Sequence, residues 1–139
     1  MSLVVDASVA LRWYVEAPGS AAASELLEGS EPLISPDLVV AEVANAAWKL
    51  QRAGEISREH ATRIAAAIPS AFAHLISASQ LVSGAMEIAT ELDHPIYDCL
   101  YLALAEAEKI EMVTADGRLL NRVQDTDWQK RVRSLVLKG

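Results

Sequence analysis

Four carboxylates stand where a carboxylate is costly without a partner. Asp6 ends the run Leu3-Val4-Val5, and Asp116 follows Val113-Thr114-Ala115 in the same way. Glu42 lies in the apolar stretch Leu38 to Trp48, where Asn45 is the only other polar residue. Asp98 follows Pro95 and meets no further charge until Glu106. A lone carboxylate in apolar surroundings is expensive unless it is paired or binds a metal. Each acid also has an ordinary use: Asp6 or Ser8 as a helix cap, Glu42 with Asn45 and Lys49 as a solvent-facing stripe, Asp98 as a first-turn acid favoured by the helix dipole, Asp116 as a turn residue. Taken together they point to chemistry. Four carboxylates on one edge repel and raise each other's pKa values. A divalent cation relieves that repulsion, and an all-oxygen set suits Mg²⁺ or Mn²⁺ rather than zinc. His60, His74 and His94 show no ligand spacing, and Cys99 is the single cysteine.

The elements that position these acids follow from short-range patterns. Leu3-Val4-Val5 suits a strand buried on both faces, as in a parallel sheet covered by helices. A helix over Val9 to Val15 comes next, then the break Ala17-Pro-Gly-Ser20 and a helix over Ala21 to Leu27 closed by Gly29. Leu33 and Ile34 read as a second strand. Ser35-Pro36-Asp37 reads as a helix start with Ser35 at the cap, and that helix runs to about Arg52 and ends at Gly54. A further helix starts near Ser57 and is stopped by Pro69. Phe72 to Ile76 is a third strand, Ser79 to Leu92 a helix, and Asp93-His94-Pro95 a break. Ile96 to Lys109 is the most apolar helix. Met112 to Thr114 is a fourth strand, Ala115-Asp116-Gly117 a turn, Leu119 to Val123 a short helix and Ser134 to Leu137 an edge strand. This alternation predicts an α/β fold, a three-layer α/β/α sandwich with a mostly parallel central sheet. In such sheets ligands bind at the carboxyl ends of the strands.

The chain has 139 residues, the size of one domain, 52% of them hydrophobic and only 5% aromatic. No apolar run reaches the roughly 18 residues that span a bilayer, and no leader pattern opens the chain. One cysteine permits no internal disulfide, which fits a reducing cytoplasm. The net charge of −7 argues against broad electrostatic gripping of nucleic acid without excluding a nucleic-acid substrate, because a bound cation reverses the field locally. The bases gather late: Arg118, Arg122, Lys130, Arg131, Arg133 and Lys138.

The stretches around the four acids carry a resemblance. Val5-Asp6-Ala7-Ser8, Glu42-Val43-Ala44-Asn45, Tyr97-Asp98-Cys99-Leu100-Tyr101-Leu102-Ala103-Leu104-Ala105 and Thr114-Ala115-Asp116-Gly117-Arg118-Leu119 resemble, in order and spacing, the four motifs of PIN domains. The resemblance is nearest to the VapC-type toxins of toxin–antitoxin pairs. It implies a PIN-like sheet between helices over residues 1–139. It also implies Mg²⁺- or Mn²⁺-dependent cleavage of RNA, with Asp6, Glu42, Asp98 and Asp116 at the metal and Ser8, Asn45 and Thr114 as their hydrogen-bonding neighbours. Some relatives carry one more acid after the fourth motif, where this chain has Gly117, Arg118 and Asn121.

Three expectations about contacts follow. Arg118 and Arg122, four apart beyond Asp116, are the bases placed to meet RNA, with Arg12, Lys49 and Arg52 next. Trp13, Tyr14, Leu26, Leu27 and Trp48 offer bulky apolar surface. Part of it is expected to form a groove for an antitoxin helix, and the competing expectation is that both tryptophans fill the core. The resemblance adds a homodimer. The non-enzyme alternative is a silent module whose acidic pocket holds a basic segment of a partner. An aspartyl-nucleophile hydrolase is disfavoured because Ser8 stands where its second Asp belongs, and a receiver domain because neither its acidic pair nor its late lysine is convincingly supplied.

Overall fold

The computed structural model describes residues 1–135. Strand β1 (Leu3–Val5) is buried along its whole length and pairs on both sides. Val4 is in register with Ile34 of β2 (Leu33–Pro36) on one flank and with Met112 of β4 (Met112–Thr114) on the other. Beyond them lie β3 (His74–Ile76), against β2, and β5 (Val132–Ser134), against β4. All four pairings are parallel and the order is β3-β2-β1-β4-β5. Parallel neighbours need long crossovers, which the helices supply. The chain lays down β2 and β3 on one side of β1 and then returns to place β4 and β5 on the other. The reversal falls between β1 and β4, where an open sheet of this kind forms its crevice.

The crossovers are α1 (Ala7–Leu11), α2 (Ser20–Glu28), α3 (Leu38–Arg52), α4 (Arg58–Ala67), α5 (Val82–Leu92), α6 (Ile96–Glu108) and α7 (Gly117–Val123), so the architecture is an α/β sandwich around a parallel sheet. α6 packs on β1 and β2, with α5 laid against it, while α1 packs on α3 and β4. α6 owes its place to composition, since Cys99 to Ala105 are all buried. The α5–α6 packing is close because Gly84 and Ala103 are small; a Cβ on Gly84 would stand 3.8 Å from that of Ala103. Gly54 ends α3 in the left-handed region, φ 78°, which a residue with a side chain adopts only at a cost.

The structure corrects several boundaries. Ser35 does not cap α3; Ser35 and Pro36 belong to β2, in register with Leu75 and Ile76, because strand pairing outweighs the local helix-start signal. Asp37 takes the cap position, and its carboxylate instead accepts from Ala78 N at 3.0 Å, joining the ends of β2 and β3. The first helix stops at Leu11 rather than Val15. Residues 12–14 turn tightly, each N–H bonding a carbonyl three residues back. Of Phe72 to Ile76 only His74 to Ile76 pair, since Phe72 is drawn into the core beside Trp13. α7 begins at Gly117, so Asp116 is a cap rather than a turn residue. The last strand lies at Val132–Ser134, two residues earlier than expected, and Val136 and Leu137 of the expected strand lie outside the described residues.

Candidate active site

Asp6 follows the last residue of β1 and caps α1, its Oδ1 accepting from Val9 N at 3.2 Å. The capping use is therefore real, but it occupies only part of the group. Asp6 is 3% exposed, and both oxygens take hydroxyl donors: Ser8 Oγ to Oδ1 at 2.6 Å and Thr114 Oγ1 to Oδ2. Thr114 and Ser8 also receive the backbone N–H groups of Asp116 and Ala115, at 3.0 and 2.9 Å. The end of β4 and the start of α1 are thus laced together around one carboxylate. Burial pushes the Asp6 pKa up to about 6 against the pull of those hydrogen bonds, and the negative charge of Asp98 raises it further.

Glu42 sits in the second turn of α3, half-buried. Burial raises its pKa, the Tyr101 hydroxyl bonded to Oε1 lowers it, and Asp98 raises it again. Asp98 is in the first turn of α6 and is held by His94, whose Nε2 lies 2.7 Å from Oδ2. The charge of Asp98, on α6, therefore acts on both Asp6, at the end of β1, and Glu42, on α3.

Asp116 is tied to the same lacing through its N–H, which donates to Thr114 Oγ1. Its Oδ1 caps α7 by accepting from Arg118 N at 2.9 Å. With Asp98, His94, Arg118 and Arg122 it lines a cleft of about 480 Å³. Both arginines are exposed on α7. Asn45 lies exposed one turn beyond Glu42. Arg12 is committed elsewhere: its guanidinium donates to the carbonyls of Ser8 and Pro18, at 2.6 and 2.7 Å, and braces the tight turns after α1. Sequence reasoning passed over His94 and Tyr101. For Tyr101 the signal was present, because residues three apart share a helix face and it stands three after Asp98; His94 precedes the helix and carried no such signal.

The donor chemistry of Asp6, Glu42 and Asp98 fits a hard divalent cation: three carboxylates, two with raised pKa values, and no thiolate. As placed, each turns an oxygen to a hydroxyl or an imidazole. Among the described residues no three His, Cys, Asp or Glu side chains stand close enough to hold a metal ion in that arrangement. No described helix is long and apolar enough to cross a membrane.

Residues 3–125 match the family model of the PIN domain, a span that contains all four acids. The chain is 31% identical over 124 residues to Ribonuclease VapC3 of Pyrobaculum aerophilum, covering 88% of this chain and 95% of that protein. Two solved structures share the fold. One is a toxin–antitoxin complex from Klebsiella pneumoniae, with TM-score 0.71 and 18% identity over 99% of this chain and 100% of that one. The other is VapC20 of Mycobacterium tuberculosis, described as a toxin that cleaves the sarcin–ricin loop, with TM-score 0.67 and 21% identity over 84% of this chain and 91% of that one.

Proposed function

The chain belongs to the PIN domain family, and from that membership we propose that it is a metal-dependent endoribonuclease, the toxin of a toxin–antitoxin pair. The observation that carries this reading is the buried carboxylate of Asp6 at the end of β1, where strand order reverses, with both oxygens held by the hydroxyls of Ser8 and Thr114. Asp6, Glu42 and Asp98 would hold Mg²⁺ or Mn²⁺. Such a cation would supply polarisation of the scissile phosphodiester and acidification of an attacking water.

The chain's own residues set the geometry. Ser8 and Thr114 fix both oxygens of Asp6, and Tyr101 fixes one of Glu42. Asp116, beside Asp98 in the cleft, completes the metal site or orients the water. Arg118 and Arg122 receive the phosphates that flank the cut, and so supply positive charge that the acidic body lacks.

The named relative is a ribonuclease and one fold neighbour is a toxin–antitoxin complex, which support an RNA substrate and a protein antitoxin. Leu27 and Trp48, 45% and 49% exposed, offer apolar surface for the antitoxin. We further propose that residues 1–139 act as a single PIN domain, as a homodimer, in the cytoplasm. Cleavage of single-stranded RNA by the purified chain in Mg²⁺ or Mn²⁺, abolished by chelator and by Asp6→Asn, is the test. RNA left intact under those conditions would favour the silent module that holds a basic partner segment.

A further inference from the structure

His94 occupies the short link between α5 and α6, and the backbone on both sides of it is set. Asp93 closes α5 in the left-handed region, φ 51°, and Pro95 opens α6 from an extended conformation. His94 N donates to Ala89 O at 3.1 Å. The side chain is 9% exposed, and Nε2 reaches Asp98 Oδ2 at 2.7 Å. A hydroxyl rotor can follow a moving acceptor, whereas a ring with two torsions, packed in a link of fixed backbone, holds its acceptor in one place. The group it holds is the one whose charge acts on both Asp6 and Glu42.

We propose that His94 is a positioning residue for the metal site. By donating from Nε2 to Oδ2 it fixes the Asp98 carboxylate in the cleft that both line with Asp116. This rests on the metal-site reading above. Hydrogen-bond partners of ligating carboxylates contribute to affinity without touching the ion, and their loss commonly costs about 10–100-fold.

The experiment is a Mn²⁺ titration of the metal-free full chain, reading free Mn²⁺ by electron paramagnetic resonance. Far-UV circular dichroism and a thermal melt are run on each variant. Wild type is expected to bind, and Asp98→Asn to lose binding. His94→Ala should weaken Mn²⁺ binding about 10–100-fold with its dichroism unchanged. His94→Gln, whose terminal amide N–H reaches where Nε2 does, should recover most of the affinity. If His94→Ala does not fold, His94→Leu supplies a side chain of similar bulk without a donor for the comparison with His94→Gln. Wild-type affinity in His94→Ala, or equal affinity in the Gln and Leu variants, overturns this proposal alone. A wild-type chain that binds no Mn²⁺ overturns the metal-site reading and this proposal with it, and does so before any His94 variant is compared.

Discussion

The Tyr101 hydroxyl donates to Glu42 Oε1 and so ties α6 to α3 beside the carboxyl edge of the sheet, between residues 59 positions apart. Tyr101 is 1% exposed, so its hydroxyl spends its one proton on that carboxylate, and burial together with the Glu42 charge pushes its own pKa far above the ordinary phenol value. Tyr101→Phe keeps the packing and removes the donor. It is expected to cost about 1–2 kcal/mol of stability in urea unfolding and to slow RNA cleavage. A variant as stable and as active as wild type would assign Tyr101 to packing alone.

Asp98→Asn should separate stability from activity. The substitution removes the charge that raises Asp6 and Glu42 and leaves an amide able to bond His94, so the melting temperature is expected to hold or rise. Cleavage should vanish. Near-normal cleavage by this variant would take Asp98 out of the site.

The metal-free protein should lose stability as pH rises. Asp6 titrates at about 6 in the folded state against 3.8 for an ordinary Asp, chiefly through burial. The folded chain therefore holds the proton more tightly between those values. Stability falls through that window by up to about 3 kcal/mol and levels off above it. Urea unfolding in chelator at pH 4 to 8, compared with Asp6→Asn, isolates the effect, because the variant lacks this slope. Parallel profiles for the two proteins would contradict the assignment.

Arg118→Ala with Arg122→Ala should weaken binding of single-stranded RNA to a chelated, inactive chain. Each phosphate contact on a single strand contributes about 0.7 to the slope of log K against log salt, so the double variant should flatten it by about 1.4. An unchanged slope would move the RNA contact to Lys49 and Arg52.

The two tryptophans should behave differently. Trp13 packs on Phe72 with ring centroids 5.4 Å apart and donates from Nε1 to Ala23 O at 2.9 Å. Trp13→Ala should cost about 3–5 kcal/mol. Trp48 is half exposed, with the Arg52 guanidinium 5.5 Å from its ring centroid, and its removal should cost no more than about 1 kcal/mol. Trp48→Ala is therefore the variant for testing antitoxin capture by pull-down, whereas loss of capture in Trp13→Ala would report unfolding.

Much of this protein is written in short-range pattern. Leu3-Val4-Val5 and Met112-Val113-Thr114 are strands because three branched or apolar residues fill a site buried on both faces. Asp6 directly after β1, and Asp116 one residue beyond the end of β4, each cap the following helix, so these carboxylates fall near strand ends by local rules alone. Glu42 and Asp98 follow in the same way from their places in early helical turns. What local pattern cannot contain is which distant groups meet. Thr114 bonds Asp6 across 108 positions, and only the pairing of β4 beside β1 brings them together. The same pairing logic turned Ser35 and Pro36 from a helix start into strand, because β3 supplied partners for them. Tertiary packing also divided the tryptophans, drawing Trp13 towards Phe72 and leaving Trp48 in solvent. Hydrogen bonds and buried contacts form between surfaces, and which surfaces face each other is decided by strand order, a property of the whole chain.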